Sequence, residues 1–212
     1  MSLPELLELL RESLMNSEFE GKCYLVGGTV RDHLLGEKDF SDIDITVEVP
    51  EGGIKLAQHL AKLWQVEVLK VSDQFGTASF HYRGCNFDFA CTRKERYLKG
   101  SRFPIVSFGT LQEDVYRRDF TINSLLLNIA NGEILDLSGR GLPDLKAGII
   151  RCLKEPAISM QEDPLRILRA RRFAQRFGFE IEAELALAIK KYAPLVDKLS
   201  QKRVKAELEL LK

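Results

Sequence analysis

The sequence predicts an α/β (α+β) head, a mixed sheet of about five strands flanked by helices, followed by an all-helical neck. Three observations lead there. Alternating apolar runs interleave with helix-spaced ones over residues 1–152. A glycine pair, Gly27-Gly28, separates a strand-like run from a helix-like one. From residue 153 to 212 only helical spacing remains, and arginines gather there.

Leu3, Leu6, Leu7, Leu10 and Leu14 mark an amphipathic first helix, with Pro4 tolerated in its first turn. Tyr24–Val26 reads as a strand, and Thr29–Leu35 as a helix ending at Gly36. Neither Gly27 nor Gly28 has a Cβ, so backbone N–H groups at this helix start suit a phosphate. Ser41–Val47 is a second strand that puts Asp42 and Asp44 on one face and Ile43 and Ile45 on the other. Carboxylates about 6–7 Å apart along one strand face can share hard cations, and Mg²⁺ prefers oxygen ligands plus substrate phosphates.

Glu51–Leu63 has a broad apolar helical face. Val66–Val71, Thr77–Tyr82 and Asn86–Ala90 follow as strands, the last two joined by a turn at Arg83-Gly84. Asp88, between Phe87 and Phe89, points away from the core. It joins Asp42 and Asp44 if the two strands are neighbours; otherwise it is an edge carboxylate in water. Residues 91–110 read as a loop or lid, with Arg93 and Arg96 available to a nucleic acid or to solvent. After a helix over Leu111–Arg117, the run Arg117-Arg118-Asp119 suits phosphate charge, the Asp holding a guanidinium in a bidentate pair. Leu125–Ile129 and Ile134-Leu135 form a hairpin around Asn131-Gly132, and a glycine-punctuated turn leads to a boundary near Arg151–Glu155.

In the neck, Asp163 caps a helix begun by Pro164. Ile167, Ala170, Ala174 and Phe177 form its packing stripe, with Arg166, Arg169 and Arg172 on an adjacent ridge. Glu182–Lys191 and Lys202–Lys212 continue the helical pattern.

Composition bounds the rest. At 212 residues and 45% hydrophobic content, the chain can bury a core and carry an appendage. Net charge is zero, which argues against a general nucleic-acid binder. Residues 151–212 hold 14 Lys and Arg against 9 Asp and Glu, whereas residues 1–150 hold 17 against 22. That basic segment suits an entering polyanion, and equally an ordinary solvated helical surface. Scattered cysteines without a CxxC pair speak against a zinc site or disulfides and for a reducing cytoplasm. No run reaches membrane-spanning length, and the acidic N-terminus does not read as a signal peptide.

Four motifs carry a family resemblance. Gly27-Gly28-Thr29-Val30-Arg31-Asp32-His33-Leu34-Leu35-Gly36 with Asp42-Ile43-Asp44 comes first, then Arg117 to Asn123, RRDFTIN. Asp136 to Arg151 and Glu162 to Phe173 follow in order. Together they resemble the class II tRNA nucleotidyltransferase and bacterial poly(A) polymerase superfamily. The resemblance implies template-independent transfer of C and/or A from CTP and/or ATP to the 3′ end of tRNA. Asp42, Asp44 and Asp88 would hold Mg²⁺. Gly27, Gly28, Arg31 and Arg118 would bind the nucleotide, with Asp119 orienting the site. Asp163 and Arg166 would act as a protein template for the base, with Arg169 and Arg172 facing base and phosphates. A poly(A) polymerase is the nearest alternative, although residues 71–77 lack the arginines of that branch. A non-catalytic nucleotide- or RNA-binding module is the alternative of another class. Superfamily members commonly run to about twice this length, so the chain is expected to be either a fragment with a truncated neck or a naturally short chain that lost or outsourced its RNA-holding part.

Overall fold

A computed structural model describes residues 1–73, 75–96 and 105–210. Its backbone contacts divide the chain into two compact units. Met1–Glu95, Val106–Val115 and Leu125–Leu137 make up the first; the second is built around Tyr116–Ser124 and Ser138–Lys212.

The first unit opens with α1 (Leu3–Leu14), which buries Leu3, Leu6, Leu10 and Leu14 and starts in a capping box between Ser2 and Glu5. β1 (Cys23–Val26), α2 (Gly28–Leu34), β2 (Asp42–Val47) and α3 (Gly52–Trp64) follow. β3 (Lys70–Ser72), β4 (Thr77–Tyr82) and β5 (Cys85–Cys91) come next, then β6 (Arg93–Arg96), β7 (Ile105–Phe108), α4 (Leu111–Tyr116), β8 (Leu126–Asn128) and β9 (Ile134–Leu135). Among the described residues one sheet runs β3-β4-β5-β2-β1-β8-β9, and β6 pairs with β7 separately. β2 and β5 are parallel, while the other pairs of the large sheet are antiparallel.

The sheet has seven strands rather than about five because the expected hairpin, as β8 and β9, extends the edge beside β1. β3 is shorter than Val66–Val71, since only Lys70–Ser72 find ladder partners on β4. Part of the expected 91–110 loop is strand, and its residues 97–104 lie outside those described. The Arg83-Gly84 turn has positive φ at both residues (49° and 78°), the geometry that lets two twisted strands meet in a tight hairpin.

One face of the sheet is closed by α3. Trp64 stacks on Tyr82 at 4.6 Å and meets Phe80 and Phe87 edge-on. Phe80, Phe87 and Phe89 are buried there, so strand alternation turns Asp88 to the other face.

The second unit holds a 3₁₀ turn (Thr121–Asn123), α5 (Gly141–Ala147), β10 (Ile149–Ile150), α6 (Pro156–Glu162), α7 (Leu165–Phe177), β11 (Glu180–Ile181), α8 (Ala183–Tyr192) and α9 (Gln201–Glu209). α6 has no counterpart among the expected elements. It packs on α8, and α7 packs on α9. The helix expected from Pro164 begins at Leu165, whose N–H donates to Asp163 Oδ1 at 3.2 Å. Arg166 and Arg172 are buried on α7 alongside Ile167, Ala170 and Phe173, whereas Ala174 and Phe177 are half-buried. All four cysteines are buried free thiols, and burial pushes Cys23 up to about 12 and Cys152 up to about 11. Among the described residues no helix is long and apolar enough to cross a membrane.

Candidate active site

In the first unit, register assembles two rows of side chains on the face opposite α3. Asp44 of β2 pairs with Asp88 of β5, Asp88 with Ser79 of β4, and Ser79 with Lys70 of β3. Asp42 pairs with Asn86, and Asn86 with His81. Paired residues project to the same side, so the adjacency on which Asp88 depended holds. Asp42, Asp44 and Asp88 are exposed. Local desolvation raises the Asp88 carboxyl above its ordinary value against the pull of Lys70, and the Asp42 charge adds to the rise. Among the described residues no three His, Cys, Asp or Glu side chains converge as a ready-made metal cluster.

The glycine pair lies beside these carboxylates. Gly27 adopts φ 65°, ψ −128°, a conformation that side chains disfavour, and a Cβ there would lie 3.4 Å from Asp44 Oδ2. A Cβ on Gly28 would lie 3.5 Å from Arg31 Nη2. Arg31 is buried, and its guanidinium donates to both oxygens of Asp32, from Nε at 2.7 Å and from Nη2 at 2.9 Å. Thr29 Oγ1 donates to the Asp42 carbonyl at 3.1 Å, tying α2 to β2. Gly27, Gly28, Arg31, Asp42, Asp44 and Asp88 are thus gathered at one end of the sheet.

In the second unit, the RRDFTIN run lies against residues 151–153. Phe120 bridges Cys152, and Thr121 N–H donates to the Arg151 carbonyl at 2.9 Å. Asp119 is buried and does not grip its neighbours Arg117 and Arg118 as a bidentate pair in any contact described. Its Oδ2 accepts from Arg169 Nε at 2.7 Å, and its Oδ1 from Phe120 N–H at 2.8 Å and Asn123 Nδ2 at 3.1 Å. Burial works against its charge, but the Arg169 guanidinium and these donors hold the carboxyl below the ordinary range. Arg166 donates from Nη1 to Ser159 Oγ and from Nη2 to the Arg117 carbonyl, both at 2.8 Å. Arg172 pairs with Glu207 and lies 4.3 Å over the Phe173 ring. Asp163 accepts from Arg203 Nη2 at 3.2 and 3.3 Å. Arg118 is half-buried.

Sequence reasoning did not single out Asn86, Ser159, Arg203 or Glu207. The available signal was weak: a charged residue at the inner position of α9, where Glu207 stands, implies a buried partner.

Comparison with known proteins places the chain in a family. A family model described as "Poly A polymerase head domain" matches residues 23–151, and one described as "Probable RNA and SrmB- binding site of polymerase A" matches residues 178–211. The chain is 42% identical over 163 residues to the A-adding tRNA nucleotidyltransferase of Aquifex aeolicus, covering 76% of this chain and 19% of that protein. With the mitochondrial CCA tRNA nucleotidyltransferase of Saccharomyces cerevisiae it shares 38% identity over 203 residues, 87% of this chain and 37% of that one. The structure of the Thermotoga maritima CCA-adding enzyme complexed with tRNA matches with a TM-score of 0.80 at 34% identity, over 98% of this chain and 46% of that chain. The chain spans less than half the length of these relatives. With the head model matched over more than half of its residues, the chain belongs to the poly(A) polymerase head-domain family, within the class II tRNA nucleotidyltransferase and poly(A) polymerase superfamily.

Proposed function

We propose that the chain carries the head (residues 1–152) and neck (residues 153–212) of a template-independent nucleotidyltransferase that adds C and/or A to the 3′ end of tRNA. One observation carries the reading: Asp44 and Asp88 lie side by side on parallel strands, with Asp42 on the same face and Gly27 against Asp44. This donor set fits Mg²⁺. It is all oxygen, and Mg²⁺ commonly takes one or two carboxylates and completes its shell with water and substrate phosphates. When bound, Mg²⁺ would lower the pKa of the RNA 3′-hydroxyl and neutralise triphosphate charge.

Asp42 and Asp44 would hold the metal, with Asp88 helping to hold the ion that serves the hydroxyl. The tight backbone at Gly27-Gly28 would let the triphosphate approach, and Arg31, kept in place by Asp32, would offset its charge. In the second unit Arg118 would contact the nucleotide. Asp119 would orient its surroundings through Arg169. Asp163 and Arg166 would read the base, with Arg169 and Arg172 beside them. A reading group must be rigid, and the Arg166 contacts to Ser159 and the Arg117 carbonyl supply that rigidity while leaving further N–H donors. Buried free thiols suit a reducing compartment such as the cytoplasm.

The deciding experiment offers tRNAs lacking CCA, ending in CC or complete, with Mg²⁺ and labelled CTP or ATP, and sizes the products. Addition of one to three nucleotides, matched to the missing end, is the expected result. A long A tail would assign the poly(A) alternative, and no incorporation would refute the catalytic reading.

A further inference from the structure

Asp42 is held from outside the motif that contains it. Asn86 Nδ2 donates to Asp42 Oδ1 at 2.9 Å, and His81 Nδ1 lies 3.0 Å from Asn86 Oδ1. On the other carboxylate oxygen, Ser41 Oγ donates to Asp42 Oδ2 at 3.0 Å. Neither Asn86 nor His81 belongs to the four motifs.

Hydrogen-bond polarity sets the direction of this row. An ionised carboxylate only accepts, so the Asn86 amide must present its NH₂ group to Asp42. The amide oxygen then faces His81. It too only accepts, so Nδ1 of the imidazole must carry the proton. Turned round, the amide would set an oxygen against the carboxylate. A donor from His81 therefore selects the amide orientation that grips Asp42.

We propose that Asn86 and His81 are positioning residues for Asp42. They form a brace across three strands that fixes the carboxylate's rotation and leaves its other lone pairs to a divalent cation. The proposal rests on the reading of Asp42 as a metal ligand. Partners that orient metal ligands typically change metal affinity about 10–100-fold when removed.

Binding of Mn²⁺ to the full chain without substrate, followed by electron paramagnetic resonance, tests this alongside thermal unfolding. Asn86→Ala is expected to weaken Mn²⁺ binding about 10–100-fold with little change in Tm, because its side chain is exposed. His81→Phe should weaken it by less. His81→Asn, which returns an N–H donor near the Nδ1 position, should restore it. Unchanged affinity in Asn86→Ala, beside weakened affinity in Asp42→Ala, would overturn the brace and leave the metal reading standing. Unchanged affinity in Asp42→Ala would instead overturn the metal reading itself. Equal binding by His81→Phe and the unaltered chain would remove His81 from the brace.

Discussion

Arg169 Nε donates to Asp119 Oδ2 at 2.7 Å, joining α7 to a motif 50 residues earlier in the chain. Asp119 is buried, and this guanidinium is the cation that keeps it ionised. Breaking a buried pair by removing one partner strands the other charge. Arg169→Ala is therefore expected to destabilise the protein by about 3 kcal/mol, read from chemical unfolding. Asp119→Ala in that background should add little further loss, because the two changes remove the same interaction.

The same pair makes stability depend on pH. The folded Asp119 carboxyl lies below its ordinary value, so its contribution is complete above the unfolded value of about 3.9 and fades as pH falls through the folded one. Acid unfolding followed by circular dichroism should show stability falling from about pH 5 downward. Arg169→Ala should flatten that fall, since burial then lifts the folded Asp119 value back toward the unfolded one. An equally steep fall in Arg169→Ala would mean that other carboxylates govern acid unfolding.

Asp44 and Asp88 form a like-charged pair directly opposite each other on neighbouring strands. Such pairs are unfavourable by about 0.2–1 kcal/mol. Asp88→Asn should thus raise Tm slightly without divalent cation while lowering nucleotide incorporation. Asp42→Ala and Asp44→Ala should abolish incorporation with the fold intact. A variant that loses both stability and activity would point to a structural role instead.

Gly27 tests the backbone. At φ 65° and ψ −128° a side chain costs about 1–3 kcal/mol, while the new Cβ would meet Asp44 Oδ2 only at ordinary contact distance. Gly27→Ala should therefore cost stability of that order and weaken incorporation through a shifted backbone. Full activity at unchanged Tm would show that the turn can rearrange freely.

Asp163 and Arg166 should separate in their effects. Asp163 is partly exposed and its ion pair with Arg203 lies at the surface, so Asp163→Ala should cost only about 1 kcal/mol, that of its bond to the Leu165 N–H at the start of α7, while blurring the choice among CTP, ATP, UTP and GTP. Arg166 is buried with two filled hydrogen bonds, so Arg166→Ala should blur selection and also lower stability by about 2 kcal/mol. Intact discrimination with collapsed triphosphate binding would reassign both residues to phosphate.

Much of this protein was legible in the residues because local periodicity decides which side chains share a face. The leucine spacing of α1, the alternation that separates Asp42 and Asp44 from Ile43 and Ile45, and the turn at Arg83-Gly84 are all short-range facts, and the structure repeats them. The motifs alone relate Gly27, Asp119 and Arg166 to a family. Their partners were another matter. That Asp88 lies beside Asp44, that Asp119 pairs with Arg169 rather than with the adjacent arginines, and that Asn86 reaches Asp42 with His81 behind it all depend on how distant segments come together. Periodicity says which way a side chain points from its own element. Only packing of one element on another decides what it meets there.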